Sequence, residues 1–317
     1  NKISKIDQFS KNKKKTINLL KKIISKNITI NNDNKKYFSP NTIKDLKKVI
    51  KKNPNSDFLS GGTDLSLMVT KKRKDIENII NLKNIKELDF IKKKKTFIEV
   101  GAATPLVKFE KFIKKFYPDF NSILKRYGSI QIRNVGTIGG NIATASPIGD
   151  TLPILLSLNA KLIIGTVKNN KVMPINNFFI SFRKTKLKKG EFIYSIKIPL
   201  YKNNFFKAYK ISKRFDDDIS SLCASFNFEI DKNKIENVFI AFGGMAEIPK
   251  RAKNCEKILK NKKLTIDNFV KAGIYLEKDF YPIDDMRATK HYRMLVAKNL
   301  LIKCFEEIKN NKLLRVI

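Results

Sequence analysis

The chain has 317 residues, a 42% hydrophobic complement that includes 23 Phe, and a formal net charge of +37; this is enough apolar material for two domains and excludes global disorder. The charge alone would point to nucleic acid, but only nine of the 66 basic residues are Arg, and the Lys residues are spread through the chain among abundant Asn and Ile. Readers of bases and phosphates lean on the bidentate Arg fork, so we read the composition as a solvated basic surface and rank a nucleic-acid-binding protein last.

Cys223, Cys255 and Cys304 are widely spaced, form no CxxC and are odd in number, which argues against a disulfide framework and for a reduced, cytoplasmic compartment. His291 is the only histidine; it is read as structural and leaves no His-rich metal site. The longest apolar stretch, Leu152 to Ile164, is interrupted by Asn159 and Lys161 and is too short to span a bilayer. No signal-peptide pattern opens the chain. It begins at Asn1 rather than Met, so a further upstream segment is expected.

Residues 1–35 read as a linker arm with one amphipathic helix, carried by Ile17, Leu19, Leu20, Ile23 and Ile24 and followed by the polar run Asn31–Lys36. The first folded block starts near Tyr37. Ser39-Pro40 reads as a helix entry ahead of an apolar face at Ile43, Leu46, Val49 and Ile50. A short strand, Asp57–Ser60, runs into Gly61-Gly62-Thr63-Asp64 and a short helix through Leu65 and Met68. Strand, glycine turn and helix together can cradle a phosphate. A strand at Asn78–Leu82 completes a β-α-β-like unit. A hairpin (Leu88–Ile91 and Thr96–Val100) and two helices (near Pro105–Phe116 and Asp119–Arg126) follow.

The stretch Tyr127–Asp150 holds five of the chain's 13 glycines and one charged residue, Arg133, before Asp150. Gly139-Gly140-Asn141 could aim consecutive amide N–H groups at one anion, and a ligand loop is favoured over a buried turn. Asp150 is either the N-cap of an apolar helix, Leu152–Leu158, or a carboxylate accepting from a ligand hydroxyl. Strands at Lys161–Gly165, Val172 and Glu191–Ile198 come next. Phe205–Ser212, Leu222–Ile230 and Ile235–Phe242 read as an antiparallel three-stranded sheet. Helices at Lys250–Lys260, Ile266–Glu277 and Met286–Lys309 cover one of its faces. Lys213–Asp218 is read as a solvated loop, Gly243-Gly244 as a tight strand exit, and Lys210 as an ordinary surface lysine. Neither GxGxxG after the first strand nor GxxxxGK[ST] occurs. The loops at 61–64 and 136–141 could instead converge on one pyrophosphate from two subdomains, which suggests an extended dinucleotide.

Phe58–Leu65, Thr137–Asp150, Phe182-Arg-Lys-Thr185, Gly190-Glu191 before Ile198-Pro199, Lys213–Ile219 and Ala241–Ala246 occur in the order of a known family. They resemble the FAD domain of the molybdenum hydroxylases, most closely the small-subunit branch of the bacterial xanthine dehydrogenases, over roughly residues 36–310. The resemblance implies an α+β fold, a vanillyl-alcohol-oxidase-type FAD-binding domain at 36–200 made of two α+β subdomains (about 36–87 and 88–200). A C-terminal α+β domain at 201–317 would follow. It further implies that Leu59, Ser60, Gly61, Gly62, Thr63, Asp64, Leu65, Thr137, Ile138, Gly139, Gly140 and Asn141 surround the FAD pyrophosphate and ribityl chain. Tyr127 and Ile193 would line the cofactor, Asp150 and Lys210 would make polar contacts with it, and the loop Arg214–Asp218 would lie near the flavin ring and the NAD entrance. Family members often carry Phe where Tyr127 stands and another acid where Asp64 stands.

The reaction so implied is electron transfer. Hypoxanthine and xanthine would be oxidised to urate at molybdopterin on a large partner subunit, and electrons would pass through two-iron two-sulfur clusters to FAD and then NAD. No side chain here would act as a catalytic acid or base, and no metal would be held. The alternative is the FAD medium subunit of a carbon monoxide or nicotinate dehydrogenase; the string Lys213-Arg-Phe-Asp-Asp-Asp-Ile219 favours the xanthine branch.

Overall fold

The computed structural model describes residues 9–23, 26–202 and 204–310. Helix α1 (Lys13–Lys22) exposes every side chain, and Ile24, the last apolar position expected on it, lies outside the described residues. The polar run expected to belong to the arm is instead the turn of a hairpin between β1 (Ile28–Asn32) and β2 (Lys35–Ser39), paired from Ile28↔Ser39 to Asn32↔Lys35. Two residues, Asp33 and Asn34, make the turn, and Asp33 adopts φ 49°, the conformation short hairpin turns demand and Asp tolerates.

Helix α2 (Ile43–Lys52) starts later than Ser39-Pro40 suggested. Thr42 is its N-cap: its hydroxyl oxygen accepts from the Asp45 amide at 3.1 Å and donates to the Asp45 carboxylate at 2.8 Å. That reciprocal Thr-x-x-Asp bonding sits directly before the apolar run, while Ser39 ends β2 and is buried. Strand β3 (Asp57–Leu59), helix α3 (Ser66–Thr70) and strand β4 (Asn78–Asn81) complete the unit, and β2 and β3 both run parallel to β4 in the order β1-β2-β4-β3. Its small core is Phe38, Leu46, Ile50, Ile80, Ile85 and Leu88.

The next unit starts with β5 (Ile91–Lys93) and β6 (Phe97–Gly101). Five helices then intervene: α4 (Leu106–Ile113), α5 (Pro118–Lys125), α6 (Ile130–Val135), α7 (Ile138–Thr144) and α8 (Thr151–Ser157). Strands β7 (Lys161–Gly165) and β8 (Lys171–Pro174), a small hairpin of β9 (Phe179–Ser181) and β10 (Lys184–Thr185), and β11 (Phe192–Pro199) close it. The sheet order β5-β6-β11-β7-β8 is antiparallel throughout. Every residue of α8 is buried: its apolar middle, Leu152–Leu156, packs all round, and the hydroxyls of Thr151 and Ser157 at its ends are hydrogen-bonded.

The last unit is a sheet of β12 (Asn204–Ile211), β13 (Leu222–Asp231), β14 (Lys234–Gly243) and β15 (Lys250–Arg251), in that order and antiparallel. The sequence suggested three strands and a helix from Lys250; β15 pairs Lys250 with Phe242 first, and α9 (Lys253–Leu259) begins after it. Helices α10 (Ile266–Ile274), α11 (Leu276–Asp279) and α12 (Lys290–Asn310) follow, α12 starting four residues later than expected because residues 281–289 run as an irregular strap. Phe226, Phe242 and Phe280 meet edge to face at 5.8 and 5.3 Å, a geometry that adds to simple area burial. Among the described residues no helix is long and apolar enough to cross a membrane.

Helix α9 has no capping side chain of its own. Asp279, 3% exposed, caps it from a distance, accepting from the Asn254 and Cys255 amides at 3.0 Å each. Asp279→Ala leaves both amides without an acceptor and should cost about 2–3 kcal/mol, measured as a fall in the denaturation midpoint; an unchanged midpoint would remove this cap from the account of the fold.

Candidate functional site

A cleft of about 630 Å³ opens where the loop 60–65, the stretch 127–150 and the segment 210–220 meet. Two of these segments touch through glycine. A Cβ on Gly61 would lie 2.1 Å from the Val135 carbonyl oxygen and 2.8 Å from Gly136 Cα, and Gly62 has φ +73°. Only glycine permits that approach and that backbone. The amides of Gly61, Gly62, Thr63, Asp64 and Leu65 find no acceptor among the described residues. The buried hydroxyl oxygen of Ser60, at the head of the same loop, has no hydrogen-bond partner either. The half-buried loop thus presents a run of backbone donors to the cleft, headed by a buried hydroxyl without a partner, and such a set suits acceptor oxygens.

The segment Gly139-Gly140-Asn141 departs from the amide-cradle expectation. It is the first turn of α7, capped by Thr137, and its amides are used internally. Ile138 donates to Thr104 O (3.2 Å), Gly139 to Ala102 O (2.9 Å), Gly140 to Thr137 Oγ1 (3.1 Å) and Asn141 to Thr137 O (3.0 Å). Gly139 is glycine for packing, since a Cβ there would sit 2.5 Å from the Ala102 methyl. The Gly140 Cα faces the cleft, with only Thr137 Oγ1 near a Cβ position, at 3.0 Å.

On the opposite wall Asp150 is 3% and Lys210 5% exposed. Lys210 Nζ donates to Asp150 Oδ2 at 2.6 Å and to Arg126 O at 3.2 Å, and Ser220 Oγ donates to Asp150 Oδ1 at 2.5 Å. Lys210 is therefore no surface lysine, and Asp150 makes no capping bond to α8; its carboxylate is drawn sideways to the ammonium on β12. Between the two walls, Asn141 Nδ2 donates to the Tyr127 hydroxyl at 2.7 Å, and Thr151 Oγ1 donates to Asn141 Oδ1. Burial, reinforced by the Asp150 and Asp64 carboxylates, pushes the Tyr127 phenol up to about 12, so it stays a neutral donor at physiological pH. Arg126 anchors the loop behind Lys210, donating to Phe215 O at 2.8 Å and stacking over the Phe215 ring at 4.3 Å.

Of the residues expected at the site, Ser60 to Leu65, Tyr127, Thr137, Gly140, Asn141, Asp150 and Lys210 line the cleft. Leu59, Ile138, Gly139 and Ile193 do not: Leu59 ends β3, Ile138 and Gly139 are buried in the first turn of α7, and Ile193 is buried in β11 against β7. Asp217 and Asp218 from the acidic loop also reach the lining. Sequence reasoning missed Arg183 and Ser220. Arg183 Nη2 pairs with Asp64 Oδ1 at 2.5 Å across the cleft mouth, a contact between residues 119 apart that no local pattern announces. Ser220 stands two residues beyond the acidic loop, and that proximity is its only sequence signal.

Residues 30–201 match the family model described as the FAD binding domain in molybdopterin dehydrogenase, and residues 207–308 match the CO dehydrogenase flavoprotein C-terminal domain. The chain is 27% identical to the glyceraldehyde dehydrogenase medium chain of Sulfolobus acidocaldarius, over 86% of this chain and 97% of that protein. It is 29% identical to the xanthine dehydrogenase of Emericella nidulans over 80% of this chain, but spans only 20% of that protein's length. In structure it is similar to the reconstituted CO dehydrogenase from Oligotropha carboxidovorans, with TM-score 0.81, 22% identity, and coverage of 89% of this chain and 100% of the other. The likeness carries the α+β fold.

The buried ion pair generates a prediction. Asp150→Ala strands the Lys210 ammonium and should destabilise the protein by about 3–5 kcal/mol, whereas the double variant Asp150→Ala/Lys210→Met should recover much of the loss. Denaturant unfolding of the four species in the cycle measures the coupling; additive losses would mean the pair is not coupled.

Proposed function

Since the chain belongs to the FAD-binding family of the molybdopterin dehydrogenases, we propose that this cleft holds FAD and that the chain is the electron-transfer component of a xanthine dehydrogenase. The observation that carries the cofactor assignment is the unsatisfied loop: free amides at 61–65 beside the orphaned Ser60 hydroxyl. An extended pyrophosphate supplies the acceptor oxygens these donors lack, and a hydrogen bond to a charged oxygen contributes roughly 1.5–3 kcal/mol. When bound, FAD supplies the two-electron redox chemistry.

Everything else falls to the side chains. Gly61 and Gly62 bring backbone within reach of phosphate. Gly140 leaves room over α7, and Tyr127 and Asn141 present a neutral donor network to the polar middle of the ligand. Asp150, fixed by Lys210 and Ser220, keeps lone pairs for ligand hydroxyls. Leu59, Ile138, Gly139 and Ile193 support these groups from behind. In this reading electrons arrive from two-iron two-sulfur clusters on a partner domain or subunit, after xanthine oxidation at molybdopterin on a large subunit, and leave for NAD beside the acidic loop Arg214–Asp218. The setting is cytoplasmic.

A second reading has its own support. The chain matches the Sulfolobus glyceraldehyde dehydrogenase medium chain almost end to end, but only a fifth of the xanthine dehydrogenase. A medium subunit of another molybdenum hydroxylase would account for that length match.

Purified protein should be yellow, release FAD on denaturation, and be bleached by NADH in the absence of oxygen. Gly140→Val should weaken FAD binding by about a hundredfold, ~2.7 kcal/mol, with the thermal midpoint little changed. A colourless protein that FAD cannot reconstitute would sink the assignment. Reduction of the reconstituted complex by an aldehyde but not by xanthine would select the second reading.

A further inference from the structure

The loop that offers free amides to an anion also carries a carboxylate, Asp64. A phosphate entering between the 61–65 amides meets that negative charge unless something cancels it. The lining of the cleft contains four carboxylates, Asp64, Asp150, Asp217 and Asp218, and two cations, Lys210 and Arg183. Lys210 is not available: its side chain is 2% exposed and its ammonium is held by Asp150 and the Arg126 carbonyl. Arg183 differs. It stands at the tip of the β9–β10 hairpin with φ 54°, its side chain is 32% exposed, and only Nη2 is engaged, by Asp64 Oδ1. Among the described residues no acceptor meets Nη1 or Nε.

We infer that Arg183 is a ligand-binding residue of this cleft: held ready by Asp64, its guanidinium bridges that carboxylate and an anionic phosphate oxygen seated on the 61–65 amides. The planar five-donor fork of arginine suits two acceptors at once in a way a lysine ammonium does not. The bridge also gives the hairpin at 179–185 a purpose, since among the described residues its polar link to the loop is the Arg183–Asp64 ion pair in the cleft lining. Asp64 then acts as a positioning residue, aiming the guanidinium and keeping the mouth shut without adding net positive charge. The orphaned Ser60 oxygen and the unpaired amides are independent signs that an acceptor-rich group belongs on this side of the cleft. The inference rests on the FAD reading for the identity of the phosphate, but not for its chemistry.

The test compares Arg183→Ala, Arg183→Lys and Asp64→Asn with the full chain, titrating FAD by flavin fluorescence at low and high salt and inorganic pyrophosphate by its shift of the melting temperature. Arg183→Ala should weaken FAD binding by roughly tenfold or more, flatten its salt dependence and abolish the pyrophosphate shift. Arg183→Lys should recover part of the affinity. Asp64→Asn keeps an amide oxygen to receive the guanidinium but loses the charge that holds it, so it should weaken FAD binding less than Arg183→Ala does and should keep the salt dependence that Arg183 confers. An Arg183→Ala protein with parental FAD affinity overturns the inference. So does an equal loss in Arg183→Ala and Asp64→Asn with unchanged salt dependence, the signature of a merely structural pair. If the parent takes up pyrophosphate but not FAD, and Arg183→Ala takes up neither, the FAD reading fails and the assignment of Arg183 stands; if the parent takes up neither, both fall.

Discussion

The contact between Gly61 and the Val135–Gly136 backbone is the constraint on which the cleft depends. It lets the loop after β3 lie directly against the end of α6, with no side chain between them. A methyl group at that point would collide with a carbonyl, and the backbone on either side would have to give. Because the loops touch, the amides of one and the Tyr127–Asn141 network of the other face the same space. One short loop supplies unsatisfied donors; the other supplies a rigid, internally satisfied support.

The opposite wall is set by burial of charge. Lys210 reaches from the C-terminal sheet to Asp150 at the head of α8, and α8 itself packs on β13 and β14, with Ser157 and Ser225 2.6 Å apart. A buried ion pair of this kind adds little net stability compared with an apolar substitute, but its loss on one side is costly. It joins the C-terminal sheet to the head of α8 through a contact whose one-sided loss is costly. The same geometry explains why Asp150 is not the helix cap its position suggested: the Lys210 ammonium and the Ser220 hydroxyl draw its carboxylate away from the first amides of α8.

The net charge of +37 plays a smaller part in the site than its size suggests. Inside the cleft, carboxylates outnumber cations, and each cation is matched to a carboxylate. On the proposed reading, affinity for an anionic ligand is left to backbone amides and one partly free guanidinium. The many exposed lysines raise the general potential, which ionic strength screens.

Most strands and helices, the class of the fold and the two glycine-rich segments could be read from local patterns, because amphipathic periodicity and glycine density are properties of neighbours in sequence; the β1–β2 and β9–β10 hairpins, the short helices α6 and α7 and the edge strand β15 could not. Specific motifs such as Thr137–Asp150 pointed in the same direction. Which amides are free could not be read that way. Gly139 and Gly140 looked like an open cradle, yet Ala102, Thr104 and Thr137 satisfy that turn, while the plainer loop at 61–65 is left without acceptors. Nor did any pattern foretell the pairing of Arg183 with Asp64 or of Lys210 with Asp150, since each joins distant segments that meet only after the sheets have formed. Sequence alone determined the kind of most elements and where the glycine-rich loops fall; tertiary structure decided which donors remain unpaired, because hydrogen-bond satisfaction and burial of charge depend on partners far away along the chain.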